Sequence, residues 1–564
     1  MNTFHGGTRL VCLEVEGVPL VSARRGLMPT RIRFSKIRSA FFLLFFPLGF
    51  LAASGGLAHS QAAPSQASAY QNPVLWEDLA DIDIIRVGDA YYYSASNMSY
   101  SPGAPILRSY DLVHWEYVGH SLPKLDFGPI YDLIGGNAYN KGTWASSLQY
   151  RKSNKTFYWV GCIPGSKTTY IYTSRAAEGP WKRHTAIDNC YYDAGLLIDD
   201  DDTMYVSYGN TTVHVAQLSP DGSKELKSQV VFQTPPDVKV LEGSRFYKIN
   251  GNYYILMTRP ANGEYVLRST TGPFGPYTLH KLLLDLGTPI PGGGVPHQGG
   301  IVQTQKGDWY YMAFVDAYPG GRVPVLAPLK WNADGWPELV LVDGKWEESY
   351  PNPLPPHPLR PNTGTDSFKG KALAPEWEWN HNPDDAKWSL AGGLNLQTAT
   401  VTDDLYAARN TLTHRIPGPG STATIVMDIS KMKEGDRAGL AIFKQASAWV
   451  GVEREGGGYK VVMENGLALG RGWVTASKGT EVESVPMSGK QIWLRASADI
   501  HPGTDRKANF SYSTDGHNFK SIGTPYTLNS QWMFFMGNRY AIFNYATKDL
   551  GGAVKVKSFT VTTP

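Results

Sequence analysis

Gly88-Asp89-Ala90-Tyr91-Tyr92 is a polar turn that runs straight into paired aromatics, the pattern of a hairpin entering a strand. Four more copies follow: Asn154-Lys155-Thr156-Phe157-Tyr158, Asp201-Asp202-Thr203-Met204-Tyr205, Asn250-Gly251-Asn252-Tyr253-Tyr254 and Lys306-Gly307-Asp308-Trp309-Tyr310. Their final tyrosines are 66, 47, 49 and 56 residues apart, a spacing that suits one four-stranded blade per copy. Between them recur Ser109 leading to Trp115, Ser174 to Gly179-Pro180-Trp181, Ser269 to Gly275-Pro276-Tyr277, and finally Gly335-Trp336-Pro337, read as the outer hairpins of the same blades. Five such units predict a five-bladed β-propeller over residues 70–345, with no helical pattern interrupting it.

Outward from the repeats, six prolines between Pro351 and Pro361 mark a stiff connector over 346–365. Residues 366–564 then alternate in β-runs such as Thr422 to Ile429, Ile492 to Ala496 and Val554 to Val561, which predicts a β-sandwich of jelly-roll type. The chain is therefore read as all-β. With 564 residues, 42% hydrophobic and only 18% charged, it has material for more than one core and is not a disordered chain.

At the other end, Arg31, Arg33, Lys36 and Arg38 precede an apolar run from Ala40 to Ala53, and small residues follow. Positive, apolar, small is the layout of a secretory signal, so 1–62 is read as a leader and the mature protein as secreted or periplasmic, free of the membrane once the leader is removed. The long stretch before Met28 reads either as a cytoplasmic extension or as sequence upstream of a start at Met28. The leader holds seven Lys/Arg against two acids, whereas the whole chain is only +3, so the remainder is slightly acidic and carries no footprint for nucleic acid. Cys162 and Cys190 lie beyond the leader; one disulfide or two buried thiols would fit, and the strand-like surroundings favour thiols.

Counting back 11 to 13 residues from each repeat tyrosine gives Asp81, Ser147, Asp193, Glu242 and His297. If these occupy matching places on the innermost strands, three carboxylates converge on the central channel. Carboxylates beside apolar strands are costly to bury unless paired or used. Asp83, two residues from Asp81, is expected on the same strand face; the Asp199 to Asp202 run reads as a solvated turn, and Glu77 and Asp78 as loop acids. Two carboxyls flanking a sugar can cleave a glycosidic bond, one donating a proton and one activating water, while a third raises the donor's pKa by repulsion. The same acids with His297 could alternatively hold a hard cation.

The order of motifs resembles glycoside hydrolase family 43. The stretches are Asn72-Pro73 through Asp89, Ser101-Pro102-Gly103-Ala104-Pro105, Gly142-Thr143-Trp144-Ala145, Tyr192-Asp193-Ala194, Leu241-Glu242-Gly243, His297-Gln298-Gly299-Gly300, and Gly321-Arg322 with Leu326-Ala327-Pro328. The resemblance implies an inverting exo-glycosidase acting on plant cell-wall polysaccharide or oligosaccharide, releasing terminal α-L-arabinofuranose or β-D-xylose. It implies Asp81 as general base, Asp193 as pKa modulator and Glu242 as general acid. Arg322 would bind the sugar near the modulator, Trp144 would pack on its apolar face, and Met98 aligns where many xylosidases carry Phe. His297 would lie on the axis, where a water-mediated structural calcium is expected; no cofactor is required. Met98 and Trp144-Ala145-Ser146-Ser147 tilt the reading toward arabinofuranose. The C-terminal part resembles the concanavalin A-like domain of xylosidase-type members, with Tyr540, Phe543 and Tyr545 as candidates to reach the site. Rival readings are a non-catalytic carbohydrate-binding propeller and a galactan-acting relative.

Overall fold

A computed structural model describes residues 68–564; the leader reading over 1–62 lies outside the described residues. Strands between Ala80 and Leu339 form five four-stranded antiparallel sheets, each a simple meander. Blade 1 runs Ala80–Val87, Ala90–Ser96, Gly103–Ser109, Glu116–Leu122, and blades 2 to 5 start at Ser147–Arg151, Gly195–Ile198, Glu242–Ile249 and His297–Gln303. Each repeat marks the turn into its blade's second strand. Neighbouring blades cover both faces of such a second strand, and in blade 2 every residue of Thr156–Ile163 is buried. The outermost strands face water on one side, and Glu225–Gln233 is mostly exposed.

Beyond the propeller, two large sheets of nine and eight strands stack as a sandwich. Gly420–Lys431 and Gln491–Asp499 alternate buried and half-buried residues along nearly their whole length, the period-two pattern of strands with one face inward. Ile425, Met427, Ile429, Ile492, Leu494 and Ala496 supply part of the core between the sheets. The helical content of the described residues is four short 3₁₀ turns.

The two halves are joined closely. Tyr100–Ser101, an excursion from blade 1, is the edge strand of the sandwich's eight-stranded sheet, pairing with Trp379 and Asn380. Across the same seam, buried Glu378 accepts from Arg415 at 3.0 Å and Arg539 at 2.6 Å, with His120 of the propeller 3.1 Å away. Burial alone would raise the Glu378 pKa; the two guanidiniums outweigh it and hold it well below the usual range. The proline-rich connector is no spacer: Ser349–Pro351 pairs with Ala69–Gln71, and His357 donates its backbone N–H to Asp111.

Two sequence expectations are corrected by this architecture. Cys162 and Cys190 form a disulfide; Cys162 lies on blade 2's second strand and Cys190 in the segment leading to Asp193, so strand-like surroundings did not keep the thiols apart. Tyr540, Phe543 and Tyr545 do not reach toward a site. They lie on the strand Arg539–Ala546, whose residues are all buried inside the sandwich and its seam.

Candidate active site

The strand pairing fixes which residues of the five blades are equivalent. Asp83, Ser147, Gly195, Arg245 and Gly300 each pair with the residue two places after the repeat's final tyrosine, namely Ser94, Val160, Ser207, Leu256 and Met312. Counting back through unequal turns places Ser147 in one ring with Asp81 and Asp193; the structure corrects this, and Ser147 belongs with Asp83. Two residues ahead of this ring stand Asp81, Ala145, Asp193, Gly243 and Gln298. In blades 1, 4 and 5 the ladder slips here, so two inner-strand residues oppose one partner residue.

At these slips the backbone turns left-handed: φ is 59° at Asp81, 70° at Gly243 and 47° at Gln298, and Asp193, just before its strand, has φ 52°. Position 243 needs glycine twice over, since a Cβ there would also come within 2.8 Å of the Gln298 side chain. The bulge separates Asp81 from Asp83, which therefore do not share a face. Asp83 turns to the ladder ring, where Ser147 Oγ donates to it at 2.6 Å and the Leu148 N–H at 2.8 Å. Arg245 braces the blade 1 bulge from across the channel, donating to the carbonyls of Asp81 at 2.6 Å and Ile82 at 2.7 Å.

Asp81, Asp193 and Glu242 line one cavity of about 90 Å³ together with Met98, Trp144, Ala145, Tyr192, Gln298, Arg322 and Phe535. Wider hollows of about 460 and 490 Å³ lie on the outer face of the sandwich, around Asp499–Lys507 and Trp493–Arg495. Neither gathers buried carboxylates, so convergence of charge rather than size marks the site.

The three acids are held differently. Asp81 receives Arg322 Nη1 on Oδ1 at 2.9 Å and Ser96 Oγ on Oδ2 at 2.5 Å. Asp193 Oδ2 accepts the Gly243 N–H at 3.0 Å. Glu242 Oε2 accepts Asn210 Nδ2 at 2.5 Å and Tyr192 O–H at 3.2 Å, which leaves Oε1 without a protein donor. Burial, followed by repulsion from Glu242 and Asp81, holds the Asp193 carboxyl well above its usual range. Burial also raises Glu242, and the nearby Asp81 charge adds to it against the two donors. Asp193 and Glu242 thus form a pair that favours retaining a proton between them.

Of the other expected residues, Met98, Trp144 and Arg322 line this cavity together with Asp193, and Arg322 makes its ion pair with Asp81, because blade 5 closes against blade 1. His297 does not line it. Its Nδ1–H donates to the Val295 carbonyl at 2.8 Å, its ring lies against Phe314, and the blade 5 bulge presents Gln298 instead. Among the described residues no group of three or more His, Cys, Asp or Glu side chains is arranged to hold a metal. The nearest carboxylate to His297 Nε2 is Asp316, at 4.0 Å. The sequence reading leaves out Ser96, Asn210 and Phe535, and it quotes Tyr192 and Gln298 within motifs without giving them a role. Tyr192 and Gln298 stand beside Asp193 and His297 inside those motifs; Asn210, in the turn after Tyr208, and Phe535, 293 residues beyond Glu242, carry no local signal.

A five-bladed propeller whose channel mouth gathers a raised carboxyl pair and a third carboxylate held by arginine is the frame of a two-carboxyl glycoside hydrolase. The family comparison agrees: residues 70–337 match the model of glycosyl hydrolases family 43, and 365–562 match that of the β-xylosidase C-terminal concanavalin A-like domain. The chain belongs to glycosyl hydrolases family 43 and is a glycoside hydrolase. A solved structure described as a GH43 glycoside hydrolase engineered to display both endo-xylanase and exo-arabinofuranosidase activity is 48% identical, with a TM-score of 0.86 over 88% of this chain and all of that one. A β-xylosidase from Formosa agariphila is 28% identical over 87% of this chain and 90% of its own length. A non-reducing end α-L-arabinofuranosidase from Bacteroides ovatus is 29% identical over 66% of this chain and 73% of its own.

Proposed function

We propose that this hydrolase is an inverting exo-enzyme that releases terminal α-L-arabinofuranosyl units from arabinoxylan-type plant cell-wall polysaccharide or oligosaccharide, with terminal β-D-xylosyl units as the second candidate substrate. The observation that carries the reading is the cavity itself, which brings Asp81, Asp193 and Glu242 together in a space suited to one pentose. Glu242 is the general acid: both donors occupy Oε2, so the proton sits on Oε1, from which it passes to the glycosidic oxygen as the bond breaks. Asp81 is the general base; Arg322 and Ser96 orient its two oxygens as it takes a proton from the attacking water. Asp193 shares one proton with Glu242, since two neighbouring buried carboxyls resist carrying two charges, and it orients the acid's segment through the Gly243 N–H.

Arg322 retains Nε and Nη2 buried and unpaired, two donors left over for sugar hydroxyls. Trp144 offers its ring for the sugar's C–H face. Arabinose is favoured by the 48%-identical structure, whose description includes exo-arabinofuranosidase activity, and by Met98 on the cavity wall; the F. agariphila relative favours xylose. An exported location is supported by the Cys162–Cys190 disulfide, a bond that persists in oxidising compartments. The test is hydrolysis of the 4-nitrophenyl α-L-arabinofuranoside and β-D-xyloside, with proton NMR following the first-formed anomer. Release of the pentose with inverted configuration supports the reading. Retention overturns the mechanism, and no release from either substrate favours a binding propeller or a galactan-acting enzyme.

A further inference from the structure

The sandwich contributes one residue to the cavity. Phe535 sits in loop 529–538, with its ring 5.8 Å from the guanidinium of Arg322 and 6.2 Å from the Trp144 ring. Arg322 is in turn the partner of Asp81, so the placement of Phe535 bears directly on the proposed base. Phe535 has φ 59°, a conformation that a bulky side chain adopts only when its surroundings impose it. Two buried charged residues outside the cavity impose it from opposite sides.

On the propeller side, Asp78 is almost wholly buried and uses both carboxylate oxygens as a clamp. Oδ1 accepts the backbone N–H of Arg322 at 2.8 Å, and Oδ2 accepts that of Gly537, two residues from Phe535, at 2.9 Å. The approach is tight: a Cβ at Gly321 would lie 2.2 Å from Asp78 Oδ1, and one at Gly537 would lie 2.2 Å from the Gly320 carbonyl oxygen. On the sandwich side, Lys444 is fully buried, and its ammonium donates to the carbonyls of Gln531 at 2.7 Å and Asn529 at 3.2 Å. Its Nζ also stands 4.7 Å from the centre of the Tyr318 ring, on the propeller loop that leads to Arg322. Burial pulls the Lys444 pKa down to about 7, against the attraction of the Asp78 charge, and its N–H groups are used on two carbonyls of one loop.

We infer that Asp78 and Lys444 are positioning residues for the active site, jointly fixing loop 529–538 so that Phe535 is held against Arg322 and the cavity is closed on its sandwich side. The inference rests on the carboxylate site proposed above and adds to it a requirement that the sandwich loop be locked. Neither residue touches the cavity, so each acts through Phe535 and Arg322.

The test uses the full-length protein and four variants: Lys444→Met, Asp78→Asn, Phe535→Ala and the Lys444→Met/Phe535→Ala double. Asparagine keeps the shape of Asp78 but turns an N–H₂ toward one of two N–H groups, so one clamp bond must fail. With whichever nitrophenyl pentoside the wild type cleaves, Lys444→Met and Asp78→Asn are each expected to lower kcat/KM about tenfold to a hundredfold at unchanged content of folded protein. The double variant should be no slower than Phe535→Ala alone, because the lysine's effect is already spent. Effects that multiply, or kcat/KM that falls only in step with folded protein, overturn the inference. Hydrogen exchange of loop 529–538 is read in parallel and needs no substrate: faster exchange there in Lys444→Met supports the lock, and an unchanged rate overturns it. Were the wild type to cleave neither pentoside, this second readout would decide the lock while the substrate reading failed separately.

Discussion

Two neighbouring rings in the propeller channel, two residues apart along the inner strands, have opposite characters. The ladder ring of Asp83, Ser147, Gly195, Arg245 and Gly300 sits where pairing is regular, and its polar members bond to one another or to backbone. The bulge ring ahead of it holds Asp81 and Asp193, with Glu242 one residue further, and all three face a cavity. Two aspartates two residues apart on one strand, Asp81 and Asp83, thus have different partners and different uses. The lesson is local to blade 1: where the ladder slips Asp81 is turned to the cavity, and where pairing resumes Asp83 is consumed by structure.

The sharpest break of this comparison is to remove the acid. Glu242→Gln should cut kcat by about 10²–10⁴-fold while thermal stability stays near that of the wild type, as checked by steady-state kinetics and calorimetry. The mirror experiment targets the other ring. Arg245→Met should cost about 3–5 kcal/mol in chemical denaturation, because it strands Asp83 and the carbonyls of Asp81 and Ile82 in a buried site. If Arg245→Met folded as stably as the wild type, the distinction between the rings would collapse.

Next in size is the disulfide, which closes a 28-residue separation and ends three residues before Asp193. Cys162→Ser should lower stability by about 3 kcal/mol, with kcat of the folded fraction kept. The subtlest change is in pH dependence. Glu242 must carry its proton to act, so activity falls as pH rises through its raised pKa. In the wild type that limb reports loss of the proton shared by Asp193 and Glu242, which their mutual repulsion holds on; Asp193→Asn leaves Glu242 without this partner, so the alkaline limb should move to lower pH, with a further loss in kcat. A limb that stays in place would deny Asp193 its electrostatic role.

Much of the frame was legible because it is written locally. The turn-plus-aromatic repeat counts the blades, and alternation in runs such as Thr422 to Ile429 marks the sandwich strands. The carboxylates were legible through their motifs, and their convergence through the repeat. What the sequence did not disclose are consequences of register and of long-range contact. A bulge is one extra residue in a ladder, and turns of unequal length between inner strand and repeat tyrosine hide it; this is why Ser147 was placed in the wrong ring and His297 was expected where Gln298 lies. The Arg322–Asp81 ion pair was not legible because neither motif records that blade 5 closes on blade 1. Asn210 and Phe535 meet Glu242 and Arg322 only in the folded chain, and the Cys162–Cys190 bond depends on the path of the loop before blade 3.

The strand Tyr100–Ser101, lent by blade 1 to the sandwich, has a practical corollary for anyone dissecting the molecule. A chain cut within the proline-rich connector would not liberate a self-sufficient propeller. It would leave that short strand with unpaired backbone groups beside an uncovered apolar seam that includes Met98 and Tyr139, a surface prone to self-association. Truncates meant to isolate catalysis should therefore collect in the insoluble fraction, and co-expressing the two halves should recover more soluble protein than either half alone.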